Sequence, residues 1–234
     1  YITLEMAEER IAERIDANLL DVTMEDLHEM PHQLYEGKIK KLREKTQGQL
    51  IVKEYPTASA HSGHFKSLLN ELALKKSFRP DVIFIDYLNI CASSRFKGGN
   101  ISSYFYIKAI AEELRGLAVE FNVPIFSATQ TTRTGFVSTD IGLEDTSESF
   151  GLPATADFMF ALMSNEELEA LGQMKVKQLK NRYNDPSVNR AFIIGVDRAK
   201  MRLYDVQQAS QNIVDANQTD EKEDAYNKFS DFKL

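Results

Sequence analysis

Three short apolar runs that each end in a polar residue constrain the fold of this chain more than any other feature. The runs are residues 1–5, 82–86 and 124–130, and their polar ends are Glu5, Asp86 and Gln130. Continuous apolar runs of this length are typical of buried parallel strands, and ligands bind beyond the carboxyl ends of such strands. We therefore expect the three polar side chains to converge on one crevice. Two carboxylates and an amide suit a site for a metal ion and a nucleotide.

Helical patterns alternate with these runs. Apolar residues at helical spacing predict helices over residues 6–20, around 65–72 and from 107 to 121, and further helices are expected at 23–29, 33–45 and 165–171. Additional strands are predicted at 49–55, 157–163, 176–182, 191–196 and 201–206, with a turn at 184–187. The alternation indicates an α/β fold: a mostly parallel sheet flanked by helices, with a C-terminal antiparallel hairpin.

The composition of the 234-residue chain is that of an ordinary globular domain, with 43% apolar residues and a formal charge of −7. No apolar run approaches the roughly 20 residues that span a bilayer, so we expect no membrane association and a location in the cytoplasm. The negative charge argues against a uniformly basic surface for nucleic acid. A nucleic-acid site would therefore have to be a loop or a channel.

Cysteine and histidine offer little chemistry here. Cys91 is the single cysteine and cannot form an internal disulfide, and its place after an apolar strand predicts packing rather than reactivity. His61 and His64 have the i, i+3 spacing of a metal-binding pair. No cysteine or carboxylate cluster completes such a site in the sequence, so a polar loop is expected there.

Four short motifs follow one another along the chain. They are Thr-Leu-Glu-Met at residues 3–6, Asp-Tyr-Leu at 86–88, Ala-Thr-Gln at 128–130 and Lys-Asn-Arg at 180–182. In order and spacing they resemble the motifs of DnaB-type replicative helicases. Longer stretches at residues 14–22 and 151–159 look like the family members of T-even-type bacteriophages. The resemblance implies a RecA-like motor domain over residues 1–206 and a polar, flexible tail over residues 207–234.

The resemblance also implies a role for each strand-end residue. Glu5 corresponds to the carboxylate that orients the attacking water, Asp86 to the aspartate of the Mg²⁺ shell, and Gln130 to the glutamine that senses the γ-phosphate of ATP. Lys180 and Arg182 match the pair that reaches the nucleotide of the neighbouring subunit. Each residue has a structural alternative: a helix-terminal acid, a strand-end cap, a strand-end hydrogen bond or exposed hairpin charges.

Two polar segments, residues 93–103 and 131–145, occupy the places where ring helicases direct DNA-binding loops into the central channel. The candidate DNA-binding residues are Arg95, Lys97, Gly98, Gly99, Asn100 and Arg133. The cations among them would contact phosphates and the glycines would permit close approach, with a solvated surface loop as the alternative for each. The resemblance further implies single-stranded DNA as the track, a homo-hexamer, and primase and a helicase loader as partners.

The chain departs from the family at one point, because it contains no Gly-Lys-Ser/Thr phosphate loop. Family members carry that loop upstream of the Leu-Glu-Met motif, where it holds the β- and γ-phosphates, so the chain alone is expected not to turn over ATP. Tyr1 looks like a cut end. The missing segment normally contributes a central strand, and its loss would leave two unpaired strand edges, so either upstream residues supply that strand or the chain closes the gap another way. A smaller departure is Asn-Asp-Pro at residues 184–186, where the wider family has a Gly-Pro hairpin. This turn affects how far Arg182 can extend toward a neighbouring subunit.

Two other functions stay open on the sequence. A RecA-like recombinase would share the fold but form open filaments instead of closed rings. A non-catalytic DNA-binding or partner-binding module with a RecA-like fold would have no phosphate loop at all. A Gly-Lys-Ser/Thr encoded upstream of Tyr1 would favour a motor over such a module.

Overall fold

The computed structural model describes residues 1–96, 101–131, 142–143, 151–185 and 187–206. Contacts divide the chain into two compact units, Tyr1–Asp157 and Phe158–Leu234. The tail predicted over residues 207–234 lies outside the described residues, and a single motor domain over residues 1–206 stays a prediction.

The first unit contains the elements that the apolar runs predicted. Its strands are β1 (Ile2–Thr3), β2 (Lys53–Glu54), β3 (Ile83–Asp86) and β4 (Ile125–Ser127). Its helices are α1 (Glu8–Leu20), α2 (Met24–Glu29), α3 (His32–Lys45), α4 (Ser62–Lys76), α5 (Ser103–Phe121) and α6 (Gly151–Thr155), with a short 3₁₀ turn at Leu88–Ile90. The helices predicted from sequence are confirmed with small shifts at their ends, whereas the strands are shorter than predicted.

Strands β1 to β4 form one parallel sheet in the order β2-β1-β3-β4. Strand β1 pairs directly with β3, so these two strands leave no gap between them, in line with the second of the two alternatives: Ile2 lies opposite Ile85, and Thr3 lies opposite Asp86. The two motif-bearing strands are thus immediate neighbours. A further strand can join this row only beside β2 or beside β4.

Strand β2 is much shorter than the predicted run of residues 49–55. Both of its residues are exposed, as suits the edge of a sheet. The backbone pairing with β1 continues as far as Tyr55, whose N–H donates to the Thr3 carbonyl at 2.9 Å. The next residue, Pro56, has no amide hydrogen to donate, and this ends the ladder.

The core of the first unit lies between one face of the sheet and helices α4 and α5. Ile83 and Ile85 point into it, and Phe65 of α4 is fully buried. Alternation along β3 sends Phe84 to the opposite face, where it stacks on Phe126 of β4 with ring centroids 5.3 Å apart. Phe84 and Phe126 are 42% and 48% exposed, so the second face of the sheet presents aromatic surface in the described residues.

The second unit is an antiparallel sheet. Its strands are β5 (Phe158–Met163), β6 (Gln173–Asn181), β7 (Ala191–Asp197) and β8 (Arg202–Asp205), paired in that order. Helix α7 (Glu166–Ala170) connects β5 to β6, and the Asn165 side chain caps it by accepting from the Leu168 N–H at 2.8 Å. The predicted C-terminal hairpin is confirmed as β6 and β7, within a sheet of four strands.

Candidate functional site

The carboxyl edge of the parallel sheet brings Glu5 and Asp86 to neighbouring strand ends. β1 ends at Thr3, opposite Asp86, the last residue of β3. The Leu4 N–H then donates to the Asp86 carbonyl at 2.9 Å, so the chain leaves β1 alongside the end of β3. Glu5 follows directly, and its side chain is exposed. The pairing of β1 with β3 thus brings both residues to one edge of the sheet, as the sequence predicted.

A residue that the sequence did not single out shapes the turn that carries Glu5. Thr3 is completely buried, and its hydroxyl both accepts from the Met6 N–H at 3.0 Å and donates to the Met6 carbonyl at 2.8 Å. Thr57 adds a 2.6 Å hydrogen bond to the Leu4 carbonyl. Together these bonds fix the backbone on both sides of Glu5. The only sequence signal for Thr3 was its place within the Thr-Leu-Glu-Met motif.

Tyr1 fixes the orientation of the Asp86 carboxylate. Its hydroxyl donates to Asp86 Oδ2 at 2.7 Å, and its ring lies 6.3 Å from that of Phe84. Burial and the hydrogen bond to Asp86 both raise the pKa of the Tyr1 hydroxyl, so this donor keeps its proton at neutral pH. Asp86 is half-buried, and within the described ranges no second hydrogen bond to its carboxylate is found.

Gln130 lies three residues beyond the end of β4 and is tied to the residue that follows Asp86. Its side-chain Nε2 donates to the Tyr87 hydroxyl at 3.2 Å. The chains around it are also joined, since the Leu88 N–H donates to the Ala128 carbonyl at 3.2 Å. The structure therefore places Gln130 at the same sheet edge as Asp86, with Tyr87 between them.

Two buried oxygens at this edge lack a hydrogen-bond partner within the part of the chain that the structure describes. They are Thr129 Oγ1, next to Gln130, and Asn89 Oδ1, three residues after Asp86. An unpaired buried oxygen costs about 1–3 kcal/mol. The edge of the sheet therefore favours a further polar group, supplied by a ligand or by another segment of protein.

The donor set at this edge fits Mg²⁺ better than a caged transition metal. Among the described residues there is no group of three or more histidine, cysteine, aspartate or glutamate side chains that would hold a metal ion. Mg²⁺ does not need such a cage, because it keeps several waters and binds through one or two carboxylates together with substrate phosphates. A single oriented carboxylate, that of Asp86, matches this mode of binding.

Lys180 and Arg182 belong to the second unit. Lys180 is near the end of β6 and pairs across the sheet with Met159, whereas Arg182 lies just beyond the strand and is exposed. Asn181 between them shapes the turn: its Oδ1 accepts from the N–H groups of Tyr183 and Asn184 at 3.0 and 3.1 Å. This Asx-type turn presents Arg182 outward, and the role of both cations stays a prediction.

Of the predicted DNA-binding residues, Arg95 alone falls within the described part of the chain. Its guanidinium forms a short ion pair with Glu112 of α5. Lys97, Gly98, Gly99, Asn100 and Arg133 lie outside the described residues. Their contact with DNA stays a prediction.

The structure also decides the two minor sequence questions. Burial and the nearby Glu113 carboxylate raise the pKa of Cys91 to about 12, which is that of an inert packing residue, as predicted. The prediction of a polar loop at His61 and His64 is wrong, because His61 is the N-cap of α4 and His64 lies in the first turn of that helix. His61 Nδ1 accepts from the Gly63 N–H at 3.0 Å, and His64 Nδ1 accepts from the His61 N–H at 3.2 Å. Both imidazoles thus act as a capping box.

Within the described ranges, no helix is both long enough and apolar enough to cross a membrane.

A parallel sheet flanked by helices, with acidic residues at adjacent strand ends, is the architecture of RecA-like α/β domains. Two solved structures share the fold, at 16% sequence identity and 88% coverage of this chain. One is an ATPase domain, with a TM-score of 0.71 and 73% of its own chain covered. The other is a DnaB-like replicative helicase solved for its interactions with primase, with a TM-score of 0.70 and 50% covered.

The chain belongs to the family of the DnaB-like helicase C-terminal domain, whose model matches residues 1–199. It is 47% identical over 213 residues to the DnaB-like replicative helicase of Enterobacteria phage T4. The aligned region covers 90% of this chain and 45% of that protein. It is 34% identical over 138 residues to a protein of Chlamydia trachomatis whose name describes a plasmid replicative DNA helicase, with 57% and 28% covered. The chain thus spans less than half the length of either relative.

Proposed function

We propose that this chain is the RecA-like motor domain of an ATP-dependent, hexameric replicative DNA helicase. The observation that carries the proposal is the pairing of β1 with β3, which sets Glu5 and Asp86 at adjacent strand ends in a chain of the DnaB-like family. Under this proposal residues 1–206 act as one motor domain, and the segment from residue 207 onward is a polar tail.

Glu5 and Asp86 have different roles in ATP hydrolysis. Glu5, held on the turn that the Thr3 hydroxyl fixes, orients the attacking water and accepts its proton. Asp86 would hold Mg²⁺ through water, and one of its carboxylate oxygens is fixed by the Tyr1 hydroxyl. When bound, Mg²⁺ would neutralise the charge that develops on the phosphate oxygens.

Gln130 senses the γ-phosphate. An amide can contact a phosphate oxygen, water and backbone at once, and in the structure its nitrogen is engaged by the Tyr87 hydroxyl. Turning toward a phosphate would release Tyr87, which directly follows Asp86. The movement of Gln130 would then shift residues 131–145, the segment in which Arg133 is proposed to contact DNA.

Lys180 and Arg182 act in the active site of the neighbouring subunit. Arginine carries a fixed charge and a planar fork that suits phosphate, and a cation supplied in trans stabilises the charge of the transition state. The outward turn built by Asn181 supports this proposal, because it presents Arg182 beyond the end of β6.

Single-stranded DNA is the proposed track, contacted by Arg95, Lys97, Gly98, Gly99 and Asn100 as well as by Arg133. ATP and Mg²⁺ are the proposed cofactors, and a homo-hexamer is the proposed assembly. Primase and a helicase loader are the proposed partners. Since the relative with the highest identity quoted above comes from a phage, the proposed place of action is the cytoplasm of the bacterial host.

The test is ATP hydrolysis, with and without single-stranded DNA, by the chain extended upstream to include any phosphate loop encoded there. We call this the extended protein. A Glu5→Gln substitution should lower DNA-stimulated kcat by at least about 100-fold, since it removes a general base. Glu9→Gln is the matched control, because Glu9 is also an exposed acid and lies in the first turn of α1. It should leave kcat within about twofold, as expected of a surface substitution.

The same experiment separates the alternatives. Hydrolysis that is unaffected by Glu5→Gln would contradict the assigned role of Glu5. Absence of hydrolysis in the extended protein would favour a non-catalytic binding module. Hydrolysis by open filaments that do not unwind duplex DNA would favour a recombinase. The 234-residue chain alone should not hydrolyse ATP, because it contains no Gly-Lys-Ser/Thr.

A further inference from the structure

One carboxylate in the first unit gathers hydrogen bonds from two distant parts of the chain. Glu113 lies on α5, and its oxygens accept from the Ser93 hydroxyl at 2.6 Å, from the Ser94 N–H at 2.9 and 3.1 Å and, more weakly, from the Arg95 N–H at 3.4 Å. They also accept from the Ser62 hydroxyl, at the start of α4, at 3.0 Å. Glu113 therefore joins α4 and α5 to the backbone of residues 93–95.

The segment held by Glu113 is further fixed from within. Ser93 is buried, its N–H donates to the Tyr106 hydroxyl at 3.1 Å, and its own hydroxyl accepts from the Arg95 N–H at 3.2 Å. The Arg95 side chain is paired with Glu112, the neighbour of Glu113 on α5. Two adjacent acids on one helix thus hold the backbone and the side chain of the same arginine.

The apolar core does not explain an acid at this position. The neighbouring Ile110, Leu114 and Leu117 of α5 are buried and fill the interior. Burying part of a carboxylate is unfavourable unless it accepts hydrogen bonds, and Glu113 accepts them chiefly from the segment that leads to Arg95. The hydrogen bonds of Glu113 therefore fix the backbone at the point from which the Arg95 side chain extends.

The surroundings of Arg95 suit a single strand of DNA. Phe105 is 60% exposed beside Arg95 and Lys108, in an open groove that Phe96 and Glu112 also line. Aromatic faces that stack on bases, next to cations that contact phosphates, are the usual components of a single-strand site. A cation contributes to such a site only when its position matches the spacing of the phosphates.

We propose that Glu113 is a positioning residue for DNA binding: it fixes residues 93–95 so that Arg95 meets a phosphate of the strand. Glu112 holds the guanidinium in the absence of DNA and is displaced by that phosphate. The inference rests on the proposed function, because it takes Arg95 as a DNA contact. It adds that the contact depends on an acid of α5 that does not itself touch DNA.

The test measures the affinity of the extended protein for a fluorescein-labelled oligothymidylate at several salt concentrations. Glu113→Gln should weaken binding about three- to tenfold. It should also reduce the salt slope by about 0.7, the value for one lost phosphate contact on a single strand. Arg95→Ala should do the same. Glu112→Gln should leave binding unchanged or strengthen it, because it removes a competitor of the phosphate.

A double-mutant cycle separates positioning from general damage. If Glu113 acts through Arg95, Glu113→Gln should have little effect in the Arg95→Ala background. Ser62→Ala is the stability control: it removes a hydrogen bond to Glu113 Oε2, whereas the Arg95 N–H donates to Oε1, so it should leave the affinity for DNA unchanged. In this chain itself, Glu113→Gln should speed hydrogen exchange at the amides of Ser94 and Arg95.

Full additivity of Glu113→Gln and Arg95→Ala would overturn the inference, as would unchanged DNA binding in Glu113→Gln. DNA binding that does not respond to Arg95→Ala would also overturn it, while leaving the proposed helicase function in place. A wild-type extended protein that does not bind the oligothymidylate at all would contradict the proposed function as well.

Discussion

At the scale of single residues, the candidate site is built by side chains whose partners lie far away in the sequence. The Tyr1 hydroxyl reaches Asp86 across 85 positions, and Thr57 reaches the Leu4 carbonyl across 53. Such bonds depend on strand pairing, since the pairing of β1 with β3 is what sets Tyr1 beside Asp86. The residues that carry the proposed chemistry are therefore oriented by others that the motifs do not identify.

Removing the Tyr1 hydroxyl should weaken magnesium use without unfolding the site. Tyr1→Phe keeps the ring beside Phe84 but leaves the Asp86 carboxylate without its donor. We expect the Mg²⁺ concentration at half-maximal ATP hydrolysis by the extended protein to rise about tenfold, as for other residues that orient metal ligands. The measurement is a magnesium titration of the ATPase rate.

A second tyrosine provides the control. Tyr35 donates to Asp16 at the same 2.7 Å distance, in a contact between α3 and α1. Tyr35→Phe removes an equivalent bond and should leave the magnesium midpoint unchanged. Equal shifts in the two variants would mean that the Tyr1 hydroxyl has no special relation to the metal.

At the scale of elements, Glu113 joins two helices and the segment after β3, and this contact should depend on pH. Partial burial raises the pKa of Glu113, but the hydrogen bonds from Ser93, Ser94 and Ser62 outweigh it and hold the pKa below its usual value of 4.5. A lowered pKa in the folded state stabilises the fold above the unfolded-state value. That contribution is lost as the pH falls through the folded-state value.

The stability lost on Glu113→Gln should therefore be larger at pH 7 than at pH 3.5. The measurement is urea unfolding of this chain and of the variant at both pH values. Glu120→Gln, on the same helix, is the control: Glu120 makes a surface ion pair with Lys66, so little change is expected at either pH. A loss that is the same at both pH values would show that the Glu113 charge does not stabilise the fold.

Elements are also the scale at which the sequence was most informative. Apolar runs and helical stripes predicted the helices and the strands of the parallel sheet, because both patterns reflect local burial. They did not predict that β1 pairs directly with β3, because strand order depends on contacts between distant segments. For the same reason the motifs pointed to Glu5, Asp86 and Gln130 but gave no reason to select Glu113, whose partners lie 18 to 51 residues away.

At the scale of the whole molecule, the proposed active site is shared between subunits. Under the proposed function, Glu5 and Asp86 come from the first unit of one subunit, and Arg182 comes from the second unit of its neighbour. In a closed homo-oligomer every subunit then contributes once to each side of an interface.

Mixing two inactive variants of the extended protein should restore part of the ATPase activity. A Glu5→Gln subunit still provides Arg182, and an Arg182→Ala subunit still provides Glu5, so some interfaces in a mixed ring contain both intact residues. With equal amounts and random assembly, about a quarter of the interfaces are complete. We expect the mixture to recover activity of that order, measured as DNA-stimulated ATP hydrolysis after subunit exchange.

The matched control mixes Glu5→Gln with Asp86→Asn. Both substitutions affect residues on neighbouring strand ends of the same subunit, so no mixed interface can contain the two intact carboxylates together. This mixture should stay inactive. Recovery in both mixtures would contradict the assignment of Glu5 and Asp86 to the same side of the interface. Recovery in neither, with subunit exchange shown by differently labelled variants, would mean that Arg182 acts together with Glu5 of its own subunit and not with that of its neighbour.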